Sequence, residues 1–197
     1  MVDVRQGDRP LPANVRRVSG AVDIGILIDR SASMFGEPLA AAADASRACL
    51  AGLPLGSTAF LISYATQPTL DHVPTPDLAA VSRTLDVLVA GGETATHDSL
   101  LAATHTFEAA ANDAPTGNDE KGRFIILLSD GVDTASQSDL GRVLAGVDEV
   151  GIGVFSVAID SGDTDIATLQ RIAASTGGVF IETDPLDLVA QLSLIHI

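Results

Sequence analysis

Three short runs of branched and other apolar residues, 22–28 (VDIGILI), 123–129 (RFIILLS) and Ile152–Ile159 (IGVFSVAI), constrain this chain more than any other feature. Each is short for a helix and lacks the apolar/polar alternation of a strand with one wet face, so each reads as a strand covered on both sides. Helical periods stand between them. Pro38 opens one in which Leu39, Ala42, Ala43, Ser46, Cys49, Leu50 and Leu53 recur before Gly52 and Pro54 stop it. Asp77 caps another through about residue 88, and after the GGETAT turn Leu100, Ala103, Thr104, Phe107 and Ala111 share one face. Ser138 or Asp139 caps a helix carrying Leu140, Val143, Leu144 and Val147, which Gly151 ends. Asp165 begins a helix with Ile166, Leu169 and Ile172, and a last one starts near Pro185.

Residues 58–64 (TAFLISY) form a further strand, residues 69–73 a short one flanked by Pro68 and Pro74, and residues 179–181 a short closing one. Two prolines suit an edge. Strands that alternate with helices and are apolar on both faces predict a doubly wound α/β fold. Its central sheet is mainly parallel with helices on both faces, and it carries one short antiparallel edge strand.

A length of 197 residues suits one large domain with short attachments. Residues 1–20 show no clear period and read as an N-terminal extension or linker, residues 21–191 as the domain, and residues 112–121 as a polar loop. Residues 192–197 (LSLIHI) match the translation of a common transposon-end sequencing adaptor and are expected to be a non-native tail, with the natural chain continuing past Gln191. The formal net charge of -15 repels phosphates at long range, which argues against nucleic-acid binding, while clustered carboxylates would attract divalent cations. Cys49 is the single cysteine, so there is neither an intrachain disulfide nor a thiolate zinc site; it reads as a small core residue rather than a nucleophile. No run of about 18 apolar residues would span a membrane, and the first twenty residues lack the apolar stretch of a signal peptide.

Asp29 closes the first strand and Asp130 follows residues 123–129, which places both beyond the carboxyl ends of strands, where ligands bind in open α/β sheets. Three separated segments supply oxygen there: Asp29, Ser31 and Ser33 in a DxSxS pattern, Thr94 in the glycine-flanked turn, and Asp130 before Gly131. Hydroxyls and carboxylates suit a hard divalent cation, and the glycines at 91, 92 and 131 allow close backbone approach. Any one segment reads equally well as an ordinary helix cap or turn, with Thr96 an alternative cap to Thr94. All three in order are far more specific.

Together they resemble the metal-ion-dependent adhesion site of von Willebrand factor A (VWA) domains of bacterial type, over about residues 20–190. The resemblance implies the Rossmann-like VWA fold and a site in which Asp29, Ser31, Ser33, Thr94 and Asp130 hold Mg2+, with Mn2+ or Ca2+ as alternatives. It also implies a vacant position completed by an Asp or Glu of a protein partner. Neutral hydroxyl ligands leave much of the ionic charge uncompensated, which favours an incoming carboxylate. The implied function is a non-enzymatic adhesion or assembly module of the cell envelope or extracytoplasmic space, with a membrane-attached complete protein. The alternatives are a metal-dependent hydrolase or phosphotransferase, and a regulatory subunit on an AAA+ ATPase machine, the latter compatible with the cytoplasm. Against catalysis, there is no G-x-S-x-G elbow, Walker loop or G-x-G-x-x-G fingerprint.

Arg30 and Glu93 depart from the usual pattern, Arg30 by placing a cation inside the motif and Glu93 as a competing ligand. His97 and Asp98 read as the solvated start of a helix, with orientation of ligands from behind as the alternative. His72, His105 and Asp133 receive no role. Residues 160–165 (DSGDTD) lack the closing glutamate of a calcium loop and read as a polar loop with a helix cap.

Overall fold

The computed structural model describes residues 20–113, 121–159 and 165–193, with the backbone of residues 5–6 and 9–10, which pair as a two-stranded antiparallel ladder. The main sheet has six strands: β1 (Val22–Asp29), β2 (Thr58–Tyr64), β3 (Pro68–Thr75), β4 (Gly122–Ser129), β5 (Ile152–Ile159) and β6 (Phe180–Thr183). Their spatial order is β3-β2-β1-β4-β5-β6, parallel throughout except for the β2–β3 pair. The chain winds from β1 toward one edge, then returns to the centre at β4 and winds toward the other. The strand order therefore reverses between β1 and β4, and the crevice beyond their carboxyl ends is the ligand-binding position of such a sheet.

Among the described residues six α-helices pack around the sheet: α1 (Glu37–Gly52), α2 (Leu78–Thr84), α3 (Thr96–Asp113), α4 (Leu140–Glu149), α5 (Ile166–Ser175) and α6 (Leu188–Ser193). Successive strand residues point to opposite faces, so β1 sends Ile24, Ile26 and Ile28 toward α1, α2 and α6, and Leu27 toward the side of α3, α4 and α5. That alternation explains why the strands are apolar at nearly every position. Burying each Ile or Leu contributes about 1.5–3 kcal/mol. At Gly25 an added Cβ would lie 2.4 Å from the Phe60 ring, which packs edge-on against Phe107 at a centroid distance of 4.9 Å.

Local chemistry sets several boundaries differently from the periodicity. The edge strand β3 includes both Pro68 and Pro74, because the outer side of an edge needs no N–H donor, and its register against β2 shifts twice between Ala59 and Ile62. The helix expected to run to residue 88 ends at Thr84 and tightens into a 3-10 turn, Leu85–Val87. The last helix starts at Leu188 rather than near Pro185, because the Asp184 carboxylate accepts from the Leu186 and Asp187 N–H groups and closes a separate turn first. Its end includes residues 192 and 193 of the expected tail. The closing strand runs one residue later at its start and two at its end than the expected 179–181.

Asp77, Asp139 and Asp165 each accept from a backbone N–H in the first turn of α2, α4 and α5. Cys49 packs half-buried against the core, where burial pushes its thiol up to about 12, consistent with an inert side chain. Residues 114–120 of the polar loop and 160–164 of the DSGDTD run lie outside the described residues. Among the described residues no helix is long and apolar enough to cross a membrane.

Candidate metal centre

All five residues singled out for metal binding gather at the β1/β4 crevice, carried by three loops that are tied to one another. The first loop leaves β1 at Asp29 and enters a 3-10 turn, Ala32–Met34, whose Met34 is buried and anchors it to the core. The Ala32 N–H donates to the Gly92 carbonyl at 3.0 Å and the Gly91 N–H to the Arg30 carbonyl at 2.7 Å, joining the first loop to the second. The second is pinned to the third by the Thr94 N–H on Thr134 Oγ1 at 3.1 Å, and by the Thr134 and Ala135 N–H groups on the Thr94 carbonyl. The third returns to the first through Ser33 Oγ, which donates to Asp130 Oδ1 at 2.9 Å across 97 positions of sequence.

Of the glycines in these loops, Gly92 is required by conformation. Its φ is +92°, and an added Cβ would stand 2.8 Å from Thr66 Oγ1. At Gly91 the backbone does come close, its N–H meeting the Arg30 carbonyl at 2.7 Å, although a Cβ there would meet nothing within 4 Å. At Gly131 a Cβ would fall 3.6 Å from Thr94 Oγ1 and 3.8 Å from Ser33 Oγ. Glycine thus leaves free a position within contact range of both hydroxyls.

The polar atoms form an ordered chain. Ser33 Oγ donates to Asp130 Oδ1, and Ser31 Oγ lies 3.0 Å from Ser33 Oγ. Asp29 Oδ1 accepts from the Ser31 N–H and Asp29 Oδ2 from Ser129 Oγ, both at 2.8 Å. Asp29 and Asp130 are fully buried, and Thr94 and Ser31 nearly so. Burial raises the Asp29 carboxyl from 3.8 to about 6; the Ser31 and Ser129 hydrogen bonds oppose that rise, and the Asp130 charge adds to it. Two buried carboxylates close enough to feel each other are costly without a cation. Among the described residues no three His, Cys, Asp or Glu side chains converge on one point. The donor set here is hydroxyls and two carboxylates, which fits a hard divalent ion.

The residues at issue around the motif are turned elsewhere. Arg30 Nε donates to Ser63 Oγ at 3.1 Å, and its guanidinium reaches the Val89 carbonyl, so it braces the ends of neighbouring loops. The Glu93 side chain is exposed and its N–H donates to Thr66 Oγ1. His97 contacts the Ser138 carbonyl through Nδ1, with Asp133 beside it. Asp98 accepts from the Gln137 and Ser138 N–H groups. His97 and Asp98 are thus a helix start, but one held by the third loop rather than by solvent.

Two sets of residues lacked a signal in the linear chain. Ser129 holds Asp29 from the adjacent strand, and its partner is 100 positions away. Asp133 accepts from the His97 N–H and from the Ser136 N–H and hydroxyl, while Ser136 Oγ accepts from the Asp98 N–H. Side chains of the third loop thereby cap α3 and fix the loop that carries Thr94.

Residues 23–193 match the family description of the von Willebrand factor type A domain. No curated protein matches the chain. Among solved structures it is similar to a von Willebrand factor type A protein from Catenulispora acidiphila, at 22% identity and a TM-score of 0.78, over 90% of this chain and 42% of that one. It is also similar to the vWF domain of the type V pili tip protein Mfa5 from Porphyromonas gingivalis, at 15% identity and a TM-score of 0.71, over 91% and 95% of the two chains. A third is proximal thread matrix protein 1 from the mussel byssus, in a structure with a zinc-occupied MIDAS motif, at 17% identity and a TM-score of 0.67, over 89% and 46%. The chain spans less than half the length of the first and third of these, and at such identities the likeness concerns the fold.

Proposed function

Because the chain belongs to the von Willebrand factor type A domain family, we propose that it is a divalent-metal-dependent protein-binding module, used in adhesion or assembly. Asp29, Ser31, Ser33, Thr94 and Asp130 hold one cation, and an Asp or Glu of a partner protein completes its shell. The observation that carries this reading is the linkage of Ser31 Oγ, Ser33 Oγ and Asp130 Oδ1, which joins two distant loops and gathers neutral hydroxyls and a buried carboxylate beside Gly131.

Each residue has a definite task. Ser129 and the Ser31 N–H orient the Asp29 carboxylate, which supplies buried negative charge below the site. Ser33 and Thr94 present their hydroxyls close to Gly131. The bound cation supplies the positive charge that a partner carboxylate recognises. A metal-loaded MIDAS motif in the mussel byssus protein and the pilus-tip setting of the Porphyromonas domain support this reading, and Mg2+ is the expected ion for an all-oxygen donor set. Extending residues 21–191 as one functional domain, with residues 1–20 as an attachment, belongs to the same proposal.

Calorimetric titration with Mg2+ and Mn2+ tests the reading: one ion should bind per chain, and Ser33→Ala should weaken it at least about ten-fold. Absence of binding, or an unchanged affinity in Ser33→Ala, refutes the site.

A further inference from the structure

The three loops of the centre carry exposed apolar side chains as well as ligands. Phe35 is 80% exposed two residues beyond Ser33, Val132 is 48% exposed two residues beyond Asp130, and Val89 is 72% exposed where the Arg30 guanidinium holds its carbonyl. Single exposed apolar residues are common on protein surfaces. Here one stands on each of the three loops that converge on the site, and Phe35 and Val132 follow directly on segments joined by the Ser33–Asp130 hydrogen bond. Phe35 is placed by its own backbone: its N–H closes the 3-10 turn on the Ala32 carbonyl, and Gly36 follows at a φ of +89°. The side chains of Glu93, on the second loop, and of Glu37, at the start of α1 directly after Gly36, are exposed, in a chain of net charge -15.

We infer that the surface around the centre is a mixed recognition site for a protein segment in which a single carboxylate is flanked by large apolar side chains and, outside them, by basic ones. The inference rests on the metal-centred reading above and specifies its partner. The carboxylate goes to the cation, the apolar neighbours cover Phe35 and Val132, and the basic groups face Glu37 and Glu93. With a net charge of -15 and Glu37 and Glu93 exposed beside the centre, a polyacidic segment would be repelled, so charge complementarity selects one acid in a basic context.

The test uses the full chain and three short lysine-capped peptides: one with a glutamate between two leucines, one with glycines replacing the leucines, and one with glutamine replacing the glutamate. Mg2+ affinity is measured first by calorimetry, and if Mg2+ does not bind, the underlying reading fails before this one. Titrations in Mg2+ are then followed by amide NMR shifts, which detect millimolar affinities. The leucine peptide should bind about ten-fold or more tightly than the glycine peptide, and the glutamine peptide should not bind. The pair of changes Phe35→Ser and Val132→Ser should leave Mg2+ affinity intact while bringing the leucine and glycine peptides within about two-fold of each other. Equal binding of those peptides to the unaltered chain, a leucine preference that survives both changes, or no peptide binding in a chain that binds Mg2+ would each overturn the inference.

Discussion

Replacing Asp29 by Asn should make the metal-free protein more stable while removing its response to cations. Asn keeps the shape and both hydrogen bonds: its carbonyl oxygen can accept from the Ser31 N–H, and its amide can donate to Ser129 Oγ after the Ser129 hydroxyl turns. What disappears is a fully buried negative charge next to a second one. A carboxyl raised from 3.8 to about 6, chiefly by burial, corresponds at neutral pH to about 3 kcal/mol of stability withheld from the folded state. Between those values the folded state binds more protons than the unfolded one, so this contribution is favourable below pH 3.8 and is lost as pH rises through 6.

In chelator at pH 7.5 Asn should therefore gain about 1–3 kcal/mol, or roughly 2–12 °C in Tm for a chain of this length. Near pH 4 the gain should shrink below about 1 kcal/mol, because the wild-type carboxyl is then largely protonated when folded. With Mg2+ at a hundred times its Kd, the wild type should gain about 2.7 kcal/mol and Asn nothing. Thermal melts at the two pH values, with and without Mg2+, read all three effects. An Asn variant less stable than wild type in chelator at pH 7.5, or an offset that does not change with pH, would refute the reasoning about the buried charge.

Gly92→Ala combines a left-handed φ with a Cβ 2.8 Å from Thr66 Oγ1, so it should cost about 1–3 kcal/mol in denaturant melts and weaken Mg2+ binding, because the loop carrying Thr94 must move. Gly25→Ala presses a methyl against the Phe60 ring far from the ligands; chemical denaturation should show a loss of about 1–3 kcal/mol, with Mg2+ affinity per folded molecule unchanged. Asp133→Ala removes the acceptor shared by the His97 N–H and Ser136, and should cost about 1.5–3 kcal/mol in the same melts. Amide exchange should then quicken in the first turn of α3 rather than throughout the helix, and uniform quickening would show that Asp133 does not act as a local cap.

The secondary elements of this protein are legible in its sequence because their causes are local. Runs such as residues 123–129 are apolar on both faces, Asp77, Asp139 and Asp165 cap the helices that follow them, and the recurrence of Leu39, Ala42, Ala43 and Leu50 marks the buried face of α1. The boundaries that moved did so where a side chain or an edge position competed with periodicity, as at Asp184 before α6 and at the prolines of β3.

The site divides in the same way. Oxygen donors at strand ends are a chemical property of the chain, and together with the resemblance to VWA domains they nominate Asp29, Ser31, Ser33, Thr94 and Asp130 in the sequence. Their convergence depends on the reversal of strand order between β1 and β4, which sets Ser33 beside Asp130 across 97 positions. The roles of Ser129 and Asp133, the engagement of Arg30 with Ser63 and Val89, and the exposure of Phe35 and Val132 were likewise decided by the tertiary structure. A serine, an aspartate or a phenylalanine carries no mark of which distant hydroxyl, amide or water it will face, since hydrogen bonds and burial between remote residues exist only once the sheet has brought their loops together.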